Sequence, residues 1–145
     1  MNTSEIIQAI QEKFTTDILD LSVKNDRRAT VAILTAKLPE IAEYLHNVLG
    51  MRFIIASALH SRKGFEIYYH FSHDVGGLIL NLHVILPQEN PEIESLSNMF
   101  DASNWIEREM HELFGIQFKN HPNLEKLVSE GNWAEGVYPY RKKFE

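Results

Sequence analysis

The chain has 145 residues, of which 44% are apolar and 23% charged, and carries a formal net charge of −6; this is the make-up of a single globular domain with room for a real core. It has no cysteine, which excludes disulfides, thiolate zinc sites, cysteine-ligated iron–sulfur clusters and cysteine nucleophiles. The negative charge opposes a phosphate backbone, no basic segment leads into an apolar signal region, and no apolar run reaches the roughly 18 residues of a membrane span, so a cytoplasmic protein with no nucleic-acid partner and no direct membrane span is expected.

Ile6, Ile7, Ile10 and Phe14 fall at helical spacing and predict an opening amphipathic helix over 4–14. Asp17, Leu19, Leu21 and Val23 share one parity, as do Val31, Ile33 and Thr35; with Lys24-Asn25-Asp26 between them they read as two strands and a turn. Ile41, Tyr44, Leu45, Val48 and Leu49 then follow an i, i+3, i+4, i+7, i+8 pattern, with Pro39 in the first turn and Gly50 at the stop, which predicts a second helix. Three alternating segments, 52–60, 65–73 and 78–86, are separated by Arg62-Lys63-Gly64 and Asp74-Val75-Gly76-Gly77 and read as an antiparallel meander. A short helix is expected at 92–99 and a stronger one at 104–114. The fold class is therefore α+β: a mixed, mostly antiparallel sheet of about five strands with helices on one face, residues 1–115 forming the domain and 116–145 an extended, partner-docking tail of it.

The most informative stretch runs from Asp101 to Gly115. Asn104 and Glu107 have capping-box spacing, and Gly115 suits a left-handed residue past the helix end. On a helical wheel Ile106, Met110, Leu113 and Phe114 face one way, with Arg108, His111 and Glu112 turned from them. Glu109 lies at the edge of the apolar arc, one turn after Trp105, and a carboxylate there needs a cation or several donors to offset desolvation. Arg108, Arg141, Lys142 and Lys143 are the candidates, and an Arg or Lys nitrogen within salt-bridge distance of Glu109 is expected. Beyond Gly115 the periodicity weakens, but Trp133, Tyr138, Tyr140 and Phe144 keep the segment rich in aromatics, which favours docking on a protein surface over disorder.

Ala102, Asn104-Trp105, Glu107-Arg108-Glu109, Leu113-Phe114-Gly115-Ile116, Phe118, His121-Pro122, Leu124, Trp133 and Pro139-Tyr140-Arg141-Lys142 together resemble the signature of a NADH-quinone oxidoreductase family, that of the 30-kilodalton subunit of respiratory complex I. Glu112 stands where the family usually has Asp, His111 where it has a Tyr-like residue, Asn120 where Gly precedes His-Pro, Glu125-Lys126 where it has paired Arg, and Lys143 where it has Asp. The short chain and its Glu-Arg-Glu-x-His-Glu run look more like the versions found in energy-converting membrane-bound nickel–iron hydrogenases. The resemblance implies a non-catalytic, cofactor-free subunit of a peripheral arm, on the cytoplasmic face of the membrane through its complex. Its implied partners are a large hydrogenase-like (49 kDa-type) subunit and iron–sulfur subunits. Trp105, Glu107, Arg108, Glu109, Glu112, Phe114, Gly115, His121, Pro122, Trp133, Pro139, Arg141 and Lys142 carry the motif or the interface.

The rival reading is a metal-dependent enzyme. His111-Glu112 begins like a zinc-protease helix, but Gly115 stands where the second ligand belongs. His60, His70 and His83 could meet across neighbouring strands, although cross-strand polar side chains are the commoner explanation.

Overall fold

The computed structural model describes residues 1–124 and 138–144. Helix α1 spans Thr3–Lys13 and is opened by a reciprocal capping box, in which the Asn2 side chain accepts from the Glu5 N–H and the Glu5 carboxylate from the Asn2 N–H. A hairpin of β1 (Ile18–Asn25) and β2 (Arg28–Ile33) turns at Asp26-Arg27, slightly beyond the predicted turn. Helix α2 (Leu38–Asn47) leads into β3 (Arg52–Ser61), β4 (Gly64–His73) and β5 (Leu78–Leu86). These three form the expected antiparallel meander, with Phe53 opposite Phe71 and Phe65 opposite Leu86.

The sheet order is β1-β2-β5-β4-β3. Strands β2 and β5 run parallel, which a tight turn cannot produce; α2, β3 and β4 supply the long crossover that parallel pairing requires. Strict alternation along β4 and β5 turns Phe65, Ile67, Tyr69, Phe71, Leu80, Leu82 and Val84 inward, and with Ile6, Ile10, Ile41 and Leu45 of the first two helices they form one contiguous core. Each such side chain contributes about 1.5–3 kcal/mol relative to its exposed state.

Residues 92–99 do not form a helix. Glu92–Glu94 is a short strand, β6, whose Ile93 is buried opposite Phe118 in a parallel pair with β7 (Gln117–Lys119). Pairing with a distant segment overrides the weak local signal. Helix α3 spans Asp101–Phe114 and begins three residues before the expected start, with Phe100 at its N-cap and no side-chain cap. Asn104 and Glu107 therefore lie inside the helix and form no capping box.

Candidate partner-docking site

Glu107, in the middle of α3, has none of its surface exposed. Its Oε1 accepts from the Ser95 hydroxyl at 2.5 Å, and its Oε2 accepts from the Leu96 N–H and the Ser103 hydroxyl, both at 2.8 Å. Burial raises its pKa above the ordinary glutamate value against the opposing pull of these donors. His121 lies 3.9 Å away, but its Nδ1 accepts from the Asn123 N–H at 2.9 Å and its Nε2–H donates to the Asn104 carbonyl at 3.1 Å. Both ring nitrogens are thus engaged elsewhere, and the direct contacts of the Glu107 carboxylate are its three hydrogen bonds. The Tyr69 hydroxyl, fully buried and without a hydrogen-bond partner among the described residues, has its pKa driven upward by burial and by the charge of Glu107.

Glu109 behaves otherwise. It is exposed, and no Arg or Lys nitrogen approaches it among the described residues, so the expected salt bridge is absent. The inward face of α3 is set by Ser103, Glu107, Met110 and Phe114, a progression that carries Glu109 to the rim. Glu112, which the helical wheel turns away from that face, is nevertheless only 4% exposed. Of the other candidate cations, the Arg108 guanidinium lies over the Trp105 ring at 5.5 Å, and that of Arg141 over Phe65 and Tyr138.

The C-terminal segment closes the end of α3. Arg141 Nε donates to the Phe114 carbonyl at 2.6 Å and the Tyr140 N–H to that of Leu113 at 3.1 Å, placing a cation at the negative end of the helix dipole. Gly115 makes this possible: its φ is +78°, and a Cβ there would stand 2.7 Å from both Arg141 Nη2 and Tyr138 Cε2. Phe114 packs edge-on against Phe65 and Tyr140.

Farther along, the Lys142 N–H donates to His60 Nδ1 at 2.8 Å. The proton of His60 therefore sits on Nε2, bonded to the Gln88 side-chain oxygen, while the Gln88 amide donates to the Ser61 carbonyl. His60 also stacks on Phe65 and meets the edge of Phe144. No sequence signal marked it as the anchor of the tail.

The three-histidine site does not form. His60 pairs with Phe65 on the helix-covered face, whereas His70 and His83 lie on the other. His70 bonds Ser57 and Asn81, and His83 bonds Glu66 at 2.8 Å. Among the described residues no group of three or more His, Asp or Glu side chains is placed to hold a metal. Pro122 and Pro139 are exposed, and Trp133 lies outside the described residues. The motif thus divides into an internal set, Glu107, Glu112, Phe114, Gly115 and His121, and an outward set that includes Trp105, Glu109, Pro122 and Pro139.

Across residues 31–145 the chain matches the family described as "Respiratory-chain NADH dehydrogenase, 30 Kd subunit". It is 32% identical to the C-type subunit of the F(420)H(2) dehydrogenase of Methanosarcina mazei, over 100% of this chain and 93% of that protein. The C/D-type subunit of the NADH-quinone oxidoreductase of Proteus mirabilis is 28% identical over 97% of this chain, which spans only 25% of that longer protein. A chain of the membrane-bound sulfane sulfur reductase, an archaeal respiratory membrane complex, shares the fold with a TM-score of 0.82 at 21% identity, over 98% of this chain and 85% of that one. Motif, fold and full-length likeness coincide, and the chain belongs to the family of the 30-kilodalton subunit of the respiratory-chain NADH dehydrogenase.

Proposed function

We propose that this chain is a non-catalytic subunit of the peripheral arm of a complex I-like, membrane-bound oxidoreductase, docking on the large hydrogenase-like subunit and bracing it for electron transfer. The observation that carries the reading is the division of the family motif: one set of its residues locks α3 and the tail together, and the other presents side chains outward. Trp105 is 62% exposed and Tyr140 58%, and large exposed aromatics of this kind are the usual anchors of protein interfaces. The Proteus mirabilis relative bears the double designation C/D as one protein, which supports a contact between the counterparts of its two parts here.

The chain supplies a scaffold, and redox cofactors belong to the iron–sulfur and large subunits. No helix of the described residues is long and apolar enough to cross a membrane, so attachment to the cytoplasmic face runs through those partners. Ile116 and Phe118 join the core, so of the segment 116–145 it is the part beyond β7 that acts as the docking tail of the domain.

Purification of the tagged chain from gently solubilised membranes of its host tests this. Recovery of a hydrogenase-like large subunit, an iron–sulfur small subunit and antiporter-like membrane proteins supports the scaffold. The electron-input subunits recovered with them separate an NADH dehydrogenase from an energy-converting nickel–iron hydrogenase or formate hydrogenlyase. Recovery of the chain alone defeats the proposal.

A further inference from the structure

The two edges of the sheet differ. Strand β1 carries Asp20 and Lys24, and its pairing with β2 is interrupted between Ile18 and Asp20 and again between Val23 and Asn25. Charges and bulges of this kind blunt an edge against further pairing. Strand β3, the opposite edge, is 10 residues long and has neither charge nor proline between Phe53 and Ser61. Its one irregularity lies near its start, between Phe53 and Ile55.

A groove of about 290 Å³ runs beside β3. Ile55 and Ser57 point to one face of the sheet and Ala56 and Ala58 to the other, yet all four line it. Four consecutive residues of an edge strand therefore border it, and along such a strand half of the main-chain N–H and C=O groups point away from the sheet. Ile106 and Met110 of α3 form the opposite wall, with Glu109 on it. Ile55 is 43% exposed. The trough is of mixed character with apolar surface slightly in excess, and its polar groups, Ser57, Glu109 and Tyr140, come from three separate segments. It has the form of a berth for a strand.

We propose that the outer edge of β3 takes an extended segment of a partner polypeptide as a sixth strand, one apolar side chain seated against Ile106 and Met110 and a Lys or Arg meeting Glu109. The inference rests on the proposed scaffold role and specifies the surface through which the scaffold binds. Main-chain pairing supplies affinity and the groove supplies specificity, as in other strand additions. The single ion lining the groove among the described residues is the Glu109 carboxylate, so a cationic partner complements it. A second copy of this chain would bring a further formal charge of −6 to the same place and is disfavoured.

Hydrogen exchange followed by mass spectrometry, on the purified chain and on the complex from host membranes, tests this. Outward-facing amides within 55–58 should exchange rapidly in the isolated monomer and at least about a hundredfold more slowly in the complex. Ile55→Lys and Glu109→Lys change exposed positions, and each should leave the melting temperature of the isolated chain unchanged while lowering partner recovery by about tenfold. An intact complex with unchanged exchange in β3 overturns the inference and leaves the scaffold role standing. Protection of the edge in the isolated monomer, or a dimer by light scattering with the edge protected, shows the berth already filled and also overturns it. A chain that purifies alone defeats both readings.

Discussion

At Glu107 three donors converge on one carboxylate, two from serine hydroxyls and one from the backbone of Leu96. Glu107→Ala strands those donors in the interior, and a loss of about 3 kcal/mol is expected in denaturant unfolding. The charge itself works against burial. Because the folded pKa is raised, this group's favourable contribution is fully present below the ordinary glutamate value and is lost as pH rises through the folded value. Relative to Glu107→Gln, the unmodified protein should therefore gain stability on acidification across that window; equal melting curves at every pH would refute the assignment. Asp74 titrates the opposite way. Its bond to Arg52 at 3.0 Å, together with the Ser72 hydroxyl, lowers its pKa to about 2 from 3.8. Its stabilising effect is present above 3.8 and lost as pH falls through about 2. Carboxyl-carbon NMR titration should give that value, and Arg52→Ala should return it toward the ordinary aspartate range. The burial of Glu107 was not foreseen, and its capping-box reading failed, because Ser95 and Leu96, which hold it, come from a segment with no helical relation to it. Only Ser103, one turn earlier in the same helix, left a local trace.

Helices α2 and α3 end with the same device. His46 Nδ1 bonds the Met51 carbonyl at 3.1 Å and His111 Nδ1 the Ile116 carbonyl at 2.9 Å, each across a glycine of positive φ, Gly50 and Gly115. The imidazole of the last turn reaches over the left-handed residue and satisfies the carbonyl just beyond it. His111 thus has a structural partner in place of the metal that its neighbour Glu112 first suggests. The two glycines differ in what surrounds them. A Cβ at Gly50 meets nothing within 4 Å, whereas at Gly115 it would strike Arg141 and Tyr138. Gly50→Ala should cost only the left-handed strain, about 1–2 kcal/mol. Gly115→Ala should cost more and also detach Arg141 from the Phe114 carbonyl, exposing residues 138–144 to limited proteolysis. Equal losses and equal cleavage in the two variants would separate the tail from α3.

Across the whole molecule, patterns of period two and 3.6 made the three helices, the hairpin and the meander legible, since each has an apolar face that a one-dimensional count detects. The parallel pairing of β2 with β5 and of β6 with β7 was not legible, because it joins segments far apart in sequence and leaves no local mark. Glycine placement foretold the end of α3; the start was missed because Phe100 offers no capping side chain. At the site, the motif drew attention to α3 and the segment after it without separating residues that build the fold from residues that face outward. Trp105 decides that distinction experimentally. It projects from α3 with Arg108 over its ring, so Trp105→Ala removes little internal packing and should change unfolding of the isolated chain by under about 1 kcal/mol. As an interface anchor, however, its truncation should weaken association with the proposed partner subunit by about 2 kcal/mol or more, read as lost partner recovery in a membrane pull-down. Phe114→Ala provides the reverse pattern, a core loss of about 3–5 kcal/mol in the isolated chain. If Trp105→Ala instead unfolds the chain and leaves partner recovery per folded molecule unchanged, Trp105 belongs to the internal set and the docking surface lies elsewhere on the molecule.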